Sequence, residues 1–155
     1  MRWGRRGDRS AREAAGVRRG ERVLASVSSQ TEVLVATDQA LYLGAERHQW
    51  WEIERATWNP PLLVVNDRTG RQQEFTIDAD STLPAVVHAQ IDASVVAHHR
   101  LDLGEGRWVT AVARRGTDGV VFWHLGFEPG TDADDPAVRL AAADALAALR
   151  ESLGV

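Results

Sequence analysis

After residue 20, the first half of the chain alternates short apolar runs with turn-forming residues, at the spacing of β-strands. "RVLASVSS" (Arg22–Ser29) is a β-branched run that ends in serines. "EVLVATDQALYLG" (Glu32–Gly44) divides at 37–39 into two apolar segments, which is the pattern of a tight hairpin. "WWEIERATW" (50–58) follows, and then "LLVVND" and "RQQEFTI" flank a turn over 66–70. The pattern predicts six consecutive short strands with no helix between them, hence an antiparallel meander forming a sandwich or a barrel.

The hydrophobic period then changes to that of helices and back. Capping candidates at 80–82, with Pro84 in the first turn, precede apolar residues at helical spacing, namely Leu83, Val86, Val87, Ile91 and Val95. A further strand pair comes next, with "VAHHRLDL" running on to "RWVTAVARR" and then to "GVVFWHLGF". Asp135 caps and Pro136 begins a last helix, whose apolar stripe is Val138, Ala142, Ala145, Leu149 and Leu153. We therefore predict an α+β fold that is mainly antiparallel β: about six meander strands, a helix, a β-hairpin and a C-terminal amphipathic helix.

The stretch "WWEIERATW" contains three of the six tryptophans, and its alternation predicts which of them are buried. Strict alternation puts Trp51 and Ile53 on one face and Trp50 on the other, beside two glutamates. Because the glutamates mark the solvent side, we expect Trp51 in the core and Trp50 exposed. Arg47 and His48 lie in the loop before Trp50, so these three residues form the candidate contact surface. Simple packing at a sheet edge is the alternative role for Trp50.

Charge is unevenly distributed along the chain, whose net charge is −4. Residues 1–22 carry eight arginines against three acids, whereas the remainder carries ten arginines against 19 acids. The opening segment has four glycines and no sustained periodicity, so we predict a flexible basic arm over residues 1–20. Residues 21–155 then form one domain, with the meander and first helix in 21–95 and the hairpin and last helix in 96–155. That acidic body disfavours general nucleic-acid binding.

Residues that carry catalysis or bind metals are sparse or badly spaced. The absence of cysteine excludes disulfides, thiolate nucleophiles and cysteine-ligated zinc. His98 and His99 are adjacent in a predicted strand, so they point to opposite faces and cannot chelate one ion. Asp132, Asp134 and Asp135 lack the glycine and the glutamate of a calcium loop and suit a helix N-terminus. Since no phosphate loop and no Ser–His–Asp signature occurs either, we expect no enzymatic activity, no cofactor and no metal.

Segments that direct a chain into or across membranes are also absent from the pattern. No apolar run approaches the roughly 18 residues of a transmembrane helix, and the N-terminus lacks the apolar segment of a signal peptide. We therefore expect a cytoplasmic location.

The hairpin and the tryptophan stretch together match a known pattern. "LVATDQALYL", "QWWEIERATW" and "LLVV" resemble bacterial members of the pleckstrin-homology-like (PH-like) superfamily, including GRAM-like domains. The matching positions are Thr37, Asp38, Leu41, Leu43, Trp51, Ile53 and Ala56. The span 20–154 is similar, more narrowly, to uncharacterised actinobacterial proteins of this type through Leu83-Pro84, Ala93-Ser94-Val95, Arg114-Arg115, Asp135-Pro136 and Leu153-Gly154. The resemblance implies a barrel capped by a single helix, whereas this chain adds a hairpin and a second helix.

Two functions from different classes are compatible with these observations. The first is a binding module that recognises protein, or a second copy of itself, through a strand edge. The alternative is a peripheral module that contacts anionic lipid through its basic arm, and an uncharacterised hydrolase is a more distant alternative. PH domains that bind phosphoinositides carry basic residues around the first strand–turn–strand, where this chain reads "LASVSSQTEVLV" (Leu24–Val35). Because that segment has no basic residue, we expect no specific phosphoinositide binding by residues 21–155.

Overall fold

The computed structural model describes residues 4–154, which form helices and antiparallel sheets. The helices are α1 (Gly4–Ala15), α2 (Leu83–Ser94) and α3 (Pro136–Leu153). The strands are β1 (Val23–Ser28), β2 (Val33–Thr37), β3 (Ala40–Leu43), β4 (Glu46–Gln49), β5 (Ile53–Asn59), β6 (Leu62–Asp67), β7 (Gln72–Thr76), β8 (Val95–Asp102), β9 (Trp108–Arg115) and β10 (Val121–Phe127). The predicted class, α+β with mainly antiparallel sheets, is confirmed.

The chain divides into two compact units, where the sequence predicted a single domain after residue 20. The first unit runs to Ser94 and includes Gly116–Asp118, and the second comprises Val95–Arg115 and the chain from Gly119. The boundary after Ser94 falls within one residue of the predicted division at residue 95. No sheet has strands in both units, and the predicted hairpin of the second part is a three-stranded sheet, because β8 also pairs with β9.

The first unit contains two sheets. Strands β1 to β4 form a four-stranded sheet in sequence order, and β5 to β7 form a three-stranded one. The described strands therefore pair as two open sheets and not as one closed barrel. Seven strands occur where six were predicted, because β4, "ERHQ", is polar and gave no apolar signal. It pairs with β3 across a turn in which Gly44 adopts a positive φ of 63°, a conformation that glycine tolerates best.

One hydrophobic core joins both sheets of the first unit and α2. Its fully buried members include Leu34 and Leu41 from the larger sheet, Leu63 from the smaller one and Leu83 from α2. Burial of each such side chain contributes about 1.5–3 kcal/mol to folding, before conformational entropy is subtracted. The predicted apolar stripe of α2 faces this core, except that Val95 lies beyond the helix and is exposed.

Helix α1 covers the opposite face of the larger sheet. Ala11 and Ala15 are buried there in a second cluster with Val35 and Tyr42. The structure thus differs from the flexible arm expected over residues 1–20, of which residues 1–3 lie outside the described part. The reason is that β2 and β3 are apolar on both faces, and the two alanines allow the helix to approach the sheet closely.

The second unit is a three-stranded sheet with β9 in the centre and α3 lying against β8. The carboxylate of Asp135 accepts the backbone N–H of Ala137 at 2.9 Å and caps α3, as the sequence indicated. Val138 and Ala142 are buried on the predicted stripe, whereas Leu153 at its end is 45% exposed. Few side chains of α3 are therefore buried, and the unit has a thin hydrophobic core.

Candidate binding surfaces

The two adjacent tryptophans have the opposite burial from the one expected. A 3₁₀ turn over Trp50–Glu52 precedes β5 and breaks the strict alternation, with Glu52 accepting the backbone N–H of Gln49 at 2.6 Å. Trp50 is 5% exposed, and its Nε1 donates to the carbonyl of Thr37 at 3.0 Å. Trp51 is only half-buried. The structure therefore corrects the assignment of Trp50 to an exposed contact surface and makes Trp51 the accessible indole.

Arg47, the second expected contact residue, lies instead in a buried ion pair. Its Nε and Nη2 donate to Oε1 of Glu21 at 2.8 and 2.5 Å, and its side chain is 14% exposed. The other carboxylate oxygen of Glu21 accepts the hydroxyls of Thr37 and Tyr42 at 2.8 and 3.0 Å. Burial lowers the pKa of Arg47, but the hydrogen bonds with Glu21 and Tyr42 outweigh it and raise that pKa above its ordinary value. Arg47 is therefore charged, and it is a structural residue.

The same buried cluster ties the segment after α1 to the sheet. The side chain of Arg12 donates to the backbone carbonyl of Glu21, and the backbone N–H of Arg18 donates to the hydroxyl of Tyr42 at 3.0 Å. A buried polar cluster favours one arrangement of the chain when all of its hydrogen bonds are made. Removal of one partner leaves a buried charge unpaired. Sequence reasoning missed Glu21; the available signal was a single acid at the junction of a basic segment with the first strand.

His48, the third expected contact residue, lines a surface groove of about 300 Å³, although its side chain is only 15% exposed. We call this the corner groove; its lining is His48, Trp51, Glu52, Asp67, Arg68 and Thr69. The guanidinium of Arg68 lies over the indole of Trp51, 4.4 Å from the ring centroid, at cation–π distance. The structure thus brings His48 together with Trp51 and separates both from Trp50 and Arg47.

Charges of both signs surround the corner groove. Arg71 pairs with Glu46 at 3.0 Å, and its hydrogen bond is the main cause that lowers the pKa of Glu46. The hydroxyl of Thr69 is the main cause that lowers the pKa of Asp67. Because both carboxylates stay ionised beside the basic residues, the groove has no excess of positive charge with which to bind a phosphate group.

A second groove of about 470 Å³ lies at the turn between β1 and β2. It is lined by Ala14, the segment Ser28–Val33, Gly44 and Ala45. This is the position at which the resemblance to PH domains would place a lipid headgroup. Its described lining includes Glu32 and no arginine, so its chemistry agrees with the expectation that phosphoinositides do not bind, which stays a prediction.

Strand β10 presents an uncharged edge in the second unit. It is the outer strand of its sheet and pairs with β9 over all seven residues without a register shift. Its sequence, "VFWHLGF", contains no Asp, Glu, Lys, Arg or Pro. The other edge strand, β8, has a register shift between Val95 and Ala97 and exposes Arg100 and Asp102. Irregularity and charge are two of the devices that protect sheet edges, and β10 has neither.

The hydrogen-bonding phase of β10 decides which of its backbone groups face outward. The N–H of Glu128 donates to the carbonyl of Trp108 at 3.2 Å, so even-numbered residues of this segment bond to β9. The N–H and C=O groups of Val121, Trp123, Leu125 and Phe127 therefore point away from β9. Within residues 4–154 these outward groups have no backbone hydrogen-bond partner. The strand consequently offers alternating donors and acceptors to another extended chain.

No protein family, no curated protein and no solved structure matches this chain. Among residues 4–154, no helix is long and apolar enough to cross a membrane. The described part of the chain also contains no group of three or more His, Cys, Asp or Glu side chains placed to hold a metal ion.

Proposed function

We propose that the protein is a non-enzymatic binding module that takes up an extended protein segment as an additional strand on β10. The observation that carries this proposal is the uncharged, regular edge of β10, with four residues whose backbone donors and acceptors point outward. An extended segment satisfies these groups in the way that a neighbouring strand does, and pockets for its alternate side chains supply specificity.

The contrast between the two edges of the sheet supports this role for β10. An unprotected edge carries a risk of aggregation, so natural sheets shorten it, charge it or distort it. Here β8 is distorted and charged, whereas β10 keeps seven apolar or neutral residues in regular register. A sheet that protects one edge and leaves the other regular is suited to pairing with a defined partner.

The first unit is, in this proposal, a PH-like domain that serves as the scaffold. Its order of four strands, three strands and one helix supports the resemblance, with α2 as the capping helix. Four positions of the matching pattern are buried in the common core: Leu41, Leu43, Ile53 and Ala56. Trp51 departs from the pattern, because the 3₁₀ turn places it at the surface.

The test is a selection of phage-displayed linear peptides on the full chain, followed by titration of the best peptide into variants. Leu125→Pro removes an outward N–H and no bond to β9, so it should abolish binding while the protein stays folded. His98→Pro makes the same change at the exposed edge of β8 and should leave binding unchanged. Retained binding by a folded Leu125→Pro variant would overturn the proposal.

A second measurement avoids any change to the protein. Two copies of the selected peptide are made, one with N-methyl groups on its odd-numbered residues and one with them on its even-numbered residues. Each copy has the N–H groups of one backbone edge blocked. One of the two copies should lose binding and the other should keep it, since only one edge of an added strand bonds to β10. Equal affinity of both copies would contradict strand addition. Co-sedimentation of the full chain with phosphatidylcholine–phosphatidylserine vesicles at physiological salt, without peptide binding, would favour the lipid alternative.

A further inference from the structure

We infer that the partner of β10 is a second copy of this chain, paired antiparallel about a two-fold axis at His124. The inference rests on the proposed function and specifies its partner. The paired strands would join two three-stranded sheets into one continuous sheet of six strands.

The backbone phase restricts how two β10 strands can pair. Two residues that lie opposite each other in an antiparallel pair must either both point their N–H and C=O groups toward the other strand or both point them away. With the axis at His124, Trp123 lies opposite Leu125 of the second copy and Val121 opposite Phe127. All four have outward backbone groups, so both pairs are hydrogen-bonded. His124 is the midpoint of Val121–Phe127, so this register alone pairs the whole strand with itself.

Side-chain size and polarity agree with the same register. On one face, Trp123 meets Leu125 and Val121 meets Phe127, which are aromatic–aliphatic cross-strand pairs of the stabilising kind. On the other face, Phe122 lies opposite Gly126. A Cβ added at Gly126 would approach nothing closer than the Thr110 carbonyl oxygen at 3.9 Å, so no atom of this chain blocks contact of the partner's Phe122 with this glycine at the Cβ position.

The assembly closes at two copies. A two-fold contact uses the same surface on both partners and leaves none of it unsatisfied. The outer edges of the six-stranded sheet are then two β8 strands, which are irregular and expose Arg100 and Asp102. Those edges resist further pairing, so a discrete dimer forms and not a fibre.

The absence of cysteine from the chain permits a clean crosslinking test of the register. Opposite residues in a non-hydrogen-bonded pair have Cα atoms about 4.5 Å apart, within the range of a disulfide. His124→Cys should therefore form a disulfide-linked dimer on mild oxidation of the full chain. Gly126→Cys is the matched control on the same face: four residues separate the two copies of Gly126 in this register, which is about 13 Å, so it should remain uncrosslinked.

Sedimentation equilibrium of the full chain over a range of concentrations measures the assembly without crosslinks. The wild type should be dimeric, Leu125→Pro monomeric and His98→Pro dimeric. A wild type that stays monomeric, with no crosslink through His124→Cys, would overturn this inference, and binding of selected peptides would still support the module itself. A dimer that crosslinks through Gly126→Cys and not through His124→Cys would overturn the register. Failure of both peptide binding and dimerisation would remove both proposals.

Discussion

Strands β2 and β3 of the first unit and strand β10 of the second unit are all nearly continuous apolar runs, but the chain covers them differently. The core with α2 covers one face of β2 and β3, and α1 covers the other, so every residue of β3 is buried. In β10, six of seven residues are only half-buried and Gly126 is exposed. The same kind of sequence pattern is thus fully enclosed in one unit and partly open in the other.

This difference shows what a continuous apolar strand indicates. A strand with one solvated face alternates, whereas a strand without alternation is suited to cover on both faces. The chain supplies both covers for β2 and β3, and the second cover is the arginine-rich segment that by itself resembles a flexible tail. For β10 we propose that another chain completes the environment.

Within the enclosed region, we expect the two tryptophans to differ most. Trp50→Ala should cost about 3–5 kcal/mol in the free energy of unfolding, because it opens a cavity in the core and removes the hydrogen bond to Thr37. Trp51→Ala should cost about 1 kcal/mol, the scale of a partly exposed cation–π contact. Urea unfolding of both variants measures the ranking, and a larger loss for Trp51→Ala would mean that the sequence-based assignment of faces was correct.

The same substitution in each region compares the two apolar runs directly. Leu41→Ala removes a side chain that is 0% exposed and should cost about 2–5 kcal/mol. Leu125→Ala, in β10, removes a half-buried side chain and should cost about 1 kcal/mol. Thermal unfolding at a protein concentration low enough to avoid association provides the comparison. Equal losses would show that β10 is enclosed as fully as β3.

Substitutions in the buried ion pair of Glu21 and Arg47 measure how much it stabilises the protein. Glu21→Ala should cost about 3 kcal/mol because Arg47 is left without its carboxylate. The double variant Glu21→Leu with Arg47→Met should recover part of that loss, since no buried charge is then unpaired. Chemical denaturation of the single and double variants measures both values. If the double variant is no more stable than Glu21→Ala, the cost comes from lost packing and not from the uncompensated charge.

The cover that α1 provides can be removed without touching the sheet. Ala11→Glu places a carboxylate in the buried interface with Val35 and Tyr42 and should cost about 1–3 kcal/mol. Ala14→Glu is the matched control, since Ala14 is exposed on the same helix. Limited proteolysis should cleave residues 9–20 faster in Ala11→Glu than in wild type and in Ala14→Glu. Equal protection in all three proteins would show that α1 is not held by this interface.

The smallest effect concerns pH. The hydroxyl of Thr69 lowers the pKa of Asp67 in the folded state, so the carboxylate stabilises the protein above its unfolded pKa, about 3.9, and this contribution is lost as pH falls through the lower folded value. Solvent weakens the interaction, so we expect a small change in the acid limb of the stability curve. Asp67→Asn should flatten that limb relative to wild type. Stability measured against pH tests this, and parallel acid limbs in Asp67→Asn and wild type would contradict this role for Asp67.

Several elements followed from local sequence because their signals are local. The capping residue Asp135 and the proline after it mark the start of α3, and the helical period after residue 82 marks α2. Strand β4 was missed because its polar residues pair through backbone groups, which leave no hydrophobic pattern.

The candidate contact surface was predicted less well than the fold. His48 lines a surface groove, whereas Trp50 is buried and Arg47, with a side chain 14% exposed, pairs with Glu21. The alternation rule failed at Trp50 because a 3₁₀ turn rotates successive side chains by a different angle from a strand. Arg47 could not be assigned without the structure because its partner, Glu21, is 26 residues away in the chain.

Local sequence patterns predicted the α+β class, the antiparallel meander, helices α2 and α3 and the lack of cysteine chemistry, because propensity, periodicity and capping act over a few neighbouring residues. The three-dimensional structure was needed to show that the basic segment docks as α1, that Glu21 and Arg47 meet, that Trp51 and not Trp50 reaches the surface, and that β10 is an edge strand among the described residues. These outcomes depend on which faces pack together and on hydrogen bonds between residues far apart in the chain. No local pattern encodes such contacts, since their free energy arises only when distant segments bury the same surface.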